Sequence, residues 1–411
     1  MDMKRYITAL AAAIILGSCT TPDPVKDLAE DVFELAKVQY AAMDIALDEG
    51  EYPRSTNADG SLRTSDDGWW CSGFYPGSLW YIYEFTGDEA FRNLAWKHTH
   101  SLEGLIEKHT DHDIGFQINC SYGNALRLTG DSAAVVPTYL AAARKLADRF
   151  NPGAGVIRSW DWPQNHWRYP VIIDNMMNLE LLTVAERMSG EKRLADVANA
   201  HATTTLNNHF RPDWSSWHLL DYDVETGDVR YRETVQGYAH ESAWARGQAW
   251  ALYGFTMMYR ETGRKEYLEA AENIGDMLVG RLPEDGIPYW DLNAPGTPEA
   301  LDGNAPGATQ NSHAYTEPVY RDASAGAIMA SAFIELSTLT EDSGAAEKYL
   351  DTARRQLMTF GSEEYLANPG ENGNFILKHS VGSIPGGSEV DVPLSYADYY
   401  FLEALIRYSK L

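Results

Sequence analysis

Four times along the chain, a hydroxyl residue, a glycine and a charged residue interrupt a helix-forming pattern. They are Thr86-Gly87-Asp88, Thr129-Gly130-Asp131, Ser189-Gly190-Glu191 and Thr262-Gly263-Arg264, with a looser fifth version at Ser343-Gly344. Each glycine can end one helix in a left-handed conformation, and the polar residue after it can open the next. Segments after the turns carry a single apolar stripe, as in Leu194, Val197, Ala198 and Ala202 or Tyr267, Ala271, Ile274 and Leu278. Segments before the turns, 73–86, 115–129, 172–188, 241–261 and 321–340, are aromatic and apolar on more than one side. Pro137 falls early in its segment, which predicts a later start or a kink there. With an opening helix near 26–47 and a closing one near 394–408, the pattern predicts about twelve helices in six hairpins. An inner apolar ring inside an outer amphipathic ring is an all-α (α/α)6 barrel. Between hairpins the links are long and rich in Gly, Pro, Trp and His, with small β-hairpins expected at 218–235 and 374–392. All these links enter inner helices from one end, so Trp69, Trp70, Asp113, Asp174, residues 240–250 and Asp322 should converge on one rim.

The amino terminus reads differently. Lys4 and Arg5 precede an apolar run from Ala9 to Leu16, and Leu16-Gly17-Ser18-Cys19 follows. That order predicts a signal peptide over 1–18 and a bacterial lipoprotein box with Cys19 as the acylated residue. Residues 19–25 would form a lipidated tether, and 26–411 a single barrel domain held at the bacterial cell envelope, facing the periplasm or the surface. No later segment is long and apolar enough to span a membrane, so the membrane contact expected is the lipid anchor alone. Cys71 and Cys120 are too few for a disulfide framework and are left unassigned. A formal net charge of −26 argues against nucleic acid as a partner. It also requires that an anionic substrate be held by a few local donors.

Two carboxylates stand out by their cost. Asp174 lies beside Ile172, Ile173, Met176, Met177 and Leu179, and Asp113 opens Asp113-Ile114-Gly115-Phe116. A carboxylate in such surroundings must be paired or protonated. Two of them supply acid/base chemistry; the structural alternative is that each caps a helix. Arg246 and Trp250 are four residues apart on one predicted helix face. They could grip a carboxylate and stack a sugar ring; alternatively, Arg246 is a structural cation on an indole. His218 and the stretch Asn165-His166-Trp167 add polar and aromatic groups to the links.

His112-Asp113-Ile114-Gly115-Phe116, Ile173-Asp174-Asn175-Met176-Met177-Asn178-Leu179 and Trp244-Ala245-Arg246-Gly247-Gln248-Ala249-Trp250 resemble the motifs of the unsaturated glucuronyl hydrolases (glycoside hydrolase family 88). The resemblance extends from Trp70 to Leu405, and the family has an (α/α)6 barrel. It implies an enzyme that removes a 4,5-unsaturated uronic acid from the non-reducing end of lyase-generated oligosaccharides of glycosaminoglycan type, by hydrating the C4=C5 bond. Asp174 would protonate C4 and then help activate the water that adds at C5. Asp113 would stay ionised and raise the pKa of Asp174 by repulsion. Trp70 and Trp250 would stack the sugar, while His218, Thr234, Gln236 and Arg246 hold the uronate and nearby hydroxyls. No metal or other cofactor is implied. Ser395-Tyr396-Ala397-Asp398-Tyr399 departs from the Ser-Trp-Gly-Asp-Tyr of many relatives. The link 379–385 also lacks the lysine found in sulfate-preferring ones, which leaves sulfation preference open. The alternatives are an unsaturated rhamnogalacturonyl hydrolase, disfavoured by Gly247-Gln248, and a non-catalytic lipid-anchored glycan-binding protein.

Overall fold

The computed structural model describes residues 23–108, 110–161 and 166–411. The predicted signal peptide, Cys19 and Asn165 lie outside the described residues. In chain order the helices are α1 (Pro24–Ala46), α2 (Phe74–Thr86), α3 (Glu89–His100), α4 (Ile114–Ile118), α5 (Asn124–Thr129), α6 (Ser132–Ala147) and α7 (Leu179–Ser189). They continue with α8 (Lys192–Asn208), α9 (Ala245–Thr262), α10 (Lys265–Arg281), α11 (Ala323–Leu339), α12 (Ser343–Phe360) and α13 (Ser395–Ser409). Helices α2, α4–α5, α7, α9, α11 and α13 form a closed inner ring in which each packs on the next, and the others lie outside. The chain is an (α/α)6 barrel. One apolar core runs from Val25 to Tyr408; Val25 is buried in α1 and therefore belongs to the barrel, not to a tether.

The repeated turns show why hairpins form. Gly87, Gly130, Gly190 and Gly263 take φ of 69°, 68°, 72° and 67°, and their N–H groups donate to Tyr83, Leu126, Glu186 and Tyr259 carbonyls. The hydroxyl before each glycine donates to the carbonyl four residues back and accepts from the N–H two residues on. Backbone groups orphaned by the helix ends are thus satisfied within three residues. The fifth turn differs from the expectation. The chain leaves α11 at Thr340 in an extended conformation, and Asp342 caps α12, so Gly344 falls inside the first turn of that helix. Pro137 likewise neither delays nor ends α6, which begins at Ser132.

Two inner segments are less regular than predicted. Between α4 and α5, Asn119–Gly123 form a π-helical turn. The 172–188 segment opens as a strand and a 3-10 turn over Ile173–Asn178 before α7 starts at Leu179. The β-branched run Val171-Ile172-Ile173 favours extended backbone, and it pairs with the link that carries His218.

The strands all lie in links that lead to inner helices. They are β1 (Tyr52–Thr56) with β2 (Leu62–Ser65), β3 (Phe150–Asn151) with β4 (Val156–Ile157), β5 (Pro170–Ile172) with β6 (Leu219–Tyr222) and β7 (Val229–Glu233), and β8 (Ser380–Ser383) with β9 (Ser388–Val392), every pair antiparallel. The expected hairpins at 218–235 and 374–392 are β6–β7 and β8–β9. Two close approaches set the inner ring. A Cβ on Gly115 would fall 2.3 Å from Asn178 Oδ1, and one on Gly254 would fall 2.5 Å from Met176 Cβ. Both bring neighbouring segments against residues 173–178, which carry Asp174.

Candidate active site

At the rim where the links gather is a cleft of about 390 Å³ lined by Arg54, Trp69, Trp70, Asp113, Trp160, Asp174, Gln236, Arg246, Gly382, Ser383, Glu389 and Tyr396, among others. Of the residues predicted from sequence, Asp113, Asp174, Trp70, Gln236 and Arg246 therefore meet in one place.

Neither aspartate caps a helix. Asp113 precedes α4, but its side chain makes no capping bond, and Asp174 lies inside the 3-10 turn that follows Ile172. Asp174 Oδ2 is buried and has no hydrogen-bond partner among the described residues. Burial raises the Asp174 pKa to about 7, against the opposing pull of Arg246, its own backbone N–H and a hydrogen bond from the Trp250 indole. Beside it, His218 Nε2 stands 3.7 Å from Oδ2 and is likewise buried and unpartnered. His218 Nδ1 accepts the Val235 N–H at 3.2 Å, which assigns the ring proton to Nε2. Burial, followed by Arg246, pushes the His218 pKa down to about 3. The imidazole is thus a neutral donor aimed at a gap. The link that carries it is clamped by Gln248, whose amide pairs with both the N–H and the carbonyl of Ser216 at 2.7 and 3.1 Å.

Asp113 is pushed toward its protonated form, in the direction opposite to the ionised partner expected. Its carboxyl is held well above the usual range by burial, then by repulsion from Asp111 and Asp174. At Asp174 the leading cause of the rise is burial. His112, buried and kept neutral, places Nε2 3.4 Å from Asp113 Oδ1. Asn178 Oδ1 accepts the Phe116 N–H at 2.8 Å, so its amide nitrogen is the donor to His112 Nδ1 at 3.3 Å. Each aspartate therefore has a buried neutral histidine beside it. His112 was not singled out from the sequence, although it directly precedes Asp113.

Arg246 is both a cleft residue and a structural cation. It is 3% exposed, with Nη1 donating to Asp322 at 3.0 Å and to the Val381 carbonyl, and Nη2 donating to the Gly382 carbonyl at 2.6 Å. Its guanidinium also lies 4.5 Å from the Trp244 ring centroid and 5.3 Å from that of Tyr396. Among the described residues, the Nε–H is left without an acceptor.

Three predicted contacts do not line the cleft: Trp250, Thr234 and His218, which is buried behind Asp174. Trp250 is fully buried, packed between Phe116 and Tyr400 at 5.1 and 5.5 Å, and presents no ring face to a sugar. Its placement on an inner helix buries the ring and turns it into support for Asp174. Thr234 is buried, its hydroxyl 3.0 and 3.1 Å from the carbonyls of His240 and Ser242, where it ties the link that carries Gln236. His166 and Trp167 are bound to Glu233 and are not among the cleft-lining residues. Trp160, Arg54 and Glu389 line the cleft without having been found in the sequence. They lie in links and short hairpins, where no periodicity marks them. Cys71 and Cys120 are buried and free.

The chain matches no family model. It is 43% identical over 344 residues, 83% of its length and 80% of the relative's, to the unsaturated glucuronyl hydrolase of Formosa agariphila. It is 31% identical over 363 residues, 88% of its length and 87% of the relative's, to the unsaturated chondroitin disaccharide hydrolase of Streptococcus pneumoniae. Among solved structures, an unsaturated glucuronyl hydrolase specific for heparin superposes with a TM-score of 0.85 at 43% identity, over 94% of this chain and 98% of that one. The unsaturated glucuronyl hydrolase of Streptococcus agalactiae gives 0.82 at 31%, over 93% and 92%.

The buried Arg246–Asp322 pair generates a prediction. Asp322→Ala strands an uncompensated guanidinium at the rim and should cost about 3–5 kcal/mol of stability. Urea denaturation checks this; a loss under about 1 kcal/mol would contradict the role given to the pair.

Proposed function

The chain belongs to the unsaturated glucuronyl hydrolase family and is a glycosidase; from that premise we propose that it removes a 4,5-unsaturated uronic acid from the non-reducing end of glycosaminoglycan-type oligosaccharides by hydrating the C4=C5 bond. The observation that carries this mechanism is the gap between Asp174 Oδ2 and His218 Nε2, two buried polar atoms 3.7 Å apart with no partner among the described residues. An unsatisfied buried pair of this kind is costly, and a substrate hydroxyl reaching both atoms from the cleft side would relieve it. No observation favours the rhamnogalacturonyl or the non-catalytic alternative.

The chemistry follows from the proton inventory. A carboxyl with a pKa of about 7 is an effective proton donor at neutral pH. The vinyl ether is most electron-rich at C4; its π pair takes the Asp174 proton there, and the positive charge that develops at C5 is shared with the ring oxygen. Water adds at C5 and returns a proton to the Asp174 carboxylate, and the hemiketal opens to release the remaining sugar and a keto-uronate. Asp113, which burial pushes toward its protonated form, could then donate to a sugar oxygen, and the neutral His218 Nε2–H, Gln236 and the free Nε–H of Arg246 are the donors available for the uronate and its hydroxyls. Trp70 supplies the half-buried ring on the cleft wall. Neither the separation rule for retaining glycosidases nor that for inverting ones governs such a site.

Asp174→Asn should lower turnover, read as loss of the ultraviolet absorbance of unsaturated disaccharides, by at least about 10²–10⁴-fold, while binding measured by calorimetry persists. An active Asp174→Asn protein would sink the mechanism. Because the protonated form of Asp174 does the work, kcat/KM should fall as pH rises through about 7, with a slope approaching about tenfold per unit. A profile that stays flat from pH 6 to 9 would instead assign the donor elsewhere.

We further propose that Cys19 carries a lipid that holds the barrel at the bacterial cell envelope, a reading supported by the basic, apolar and small-residue order of residues 4–19. Cys19→Ser should abolish labelling by a fatty-acid analogue in cells and move the protein out of the membrane fraction; unchanged labelling would refute the anchor.

A further inference from the structure

We propose that the end of the barrel opposite the cleft, its closed end, is a membrane-facing surface: the lipid on Cys19 draws that end against phospholipid headgroups, and the cleft opens away from the bilayer. The proposal rests on the lipid anchor at Cys19 and not on the reaction assigned to the cleft.

The inner helices start at the rim, so their last turns define the closed end. Helix α1 shows which end the tether joins. Asp23 caps α1 through the Val25 N–H and accepts from the Tyr408 hydroxyl at 3.1 Å, in the last turn of α13. Farther along α1, Tyr40 donates to Asp398 at 3.2 Å, in the first turn of α13 and hence on the rim side. Helix α1 therefore climbs from the closed end toward the rim, rising about 25 Å between Asp23 and Tyr40. Cys19 lies four residues before Asp23, and a chain of that length spans at most about 14 Å. With its lipid in a bilayer, Cys19 keeps Asp23 close to the headgroups. Turning the cleft onto the bilayer would lift Asp23 farther than that chain can reach.

Charge distinguishes the closed end from the flank as the contact surface. The segments that make up the closed end, 84–92, 127–131, 186–193, 260–266, 338–342 and 407–411, carry ten basic and ten acidic side chains. This face is thus neutral in a chain whose net charge is −26. It exposes Arg127, Arg187, Lys192, Arg193, Lys265 and Lys410. The flank beside the tether is the outer face of α1, where Asp27, Glu30, Asp31 and Glu34 are exposed. An anionic lipid surface repels that flank and tolerates the closed end. Oligosaccharides then reach the rim from the bulk compartment, with no bilayer in their path.

The test uses the full-length lipidated protein in vesicles of phosphatidylethanolamine and phosphatidylglycerol that contain a fluorescent acceptor lipid. A donor dye is attached through Lys192→Cys, Leu411→Cys or Ala58→Cys, all at exposed positions outside the catalytic machinery; the native Cys71 and Cys120 are buried. Positions 192 and 411 lie at the closed end on opposite sides of the inner ring, and position 58 lies in the β1–β2 turn on the rim side. Both closed-end labels should transfer energy at least about twofold more efficiently than the label at 58, given a height difference of roughly 25 Å. A label at 192 that transfers no better than the one at 58 would mean that the barrel lies on its flank. A label at 58 that matches or exceeds both would mean that the cleft is not turned away from the bilayer, and either result overturns the proposal. A wild type that carries no lipid on Cys19 and stays off the vesicles would overturn the anchor itself, and the orientation with it.

Discussion

The rim is organised by one buried ion pair, Arg246 with Asp322. Asp322 caps α11 through the Ser324 N–H and accepts from the Val381 N–H, while Arg246 extends from α9 to Asp322 and to the Val381 and Gly382 carbonyls. Two inner helices and the β8–β9 hairpin are thereby locked together at the edge of the cleft. Burying a charge pair repays its desolvation only when every remaining donor and acceptor is satisfied; here backbone groups do most of that. The same guanidinium acts on Asp174, where it opposes the effect of burial. A pair that holds the links in place therefore also tunes the acid.

Burial raises both cleft carboxyls, and the histidines beside them are neutral. Charged imidazoles beside Asp113 and Asp174 would stabilise both carboxylates and strip them of their protons. Instead His112 and His218 are each buried, neutral and fixed in one tautomer by an outer partner, Asn178 for the first and the Val235 N–H for the second. They offer oriented N–H groups without adding charge. A cleft that must receive an anionic sugar in an acidic protein gains from this, because the attractive charges are then few and placed: Arg246 and Arg54, which both line the cleft.

Much of the frame was legible because its causes are local. Thr-Gly-Asp and its variants satisfy backbone groups within three residues, so four hairpin turns could be read directly. Asp113 and Asp174 were visible because a carboxylate in an apolar run always carries a cost that needs an explanation. The roles of their neighbours were not legible in the same way. Trp250 reads as a stacking platform until the inner ring buries it between Phe116 and Tyr400. Arg54 sits in a short strand containing Pro53, without an alternation to mark it, and its partner Glu389 is more than three hundred positions away. The π-helical turn at Asn119–Gly123 and the late start of α7 are likewise set by neighbours across the barrel.

By itself, then, the sequence determined the alternation of inner and outer helices, the rim on which the links gather and the two acids at the centre of the site, since periodicity, turn chemistry and the cost of burying charge act over a few residues. Only the tertiary structure decided how deeply each acid is desolvated, which indole faces the cleft and which cations remain free to meet a substrate. Those outcomes depend on desolvation and on charges brought together from distant links, and neither exists until the barrel has closed.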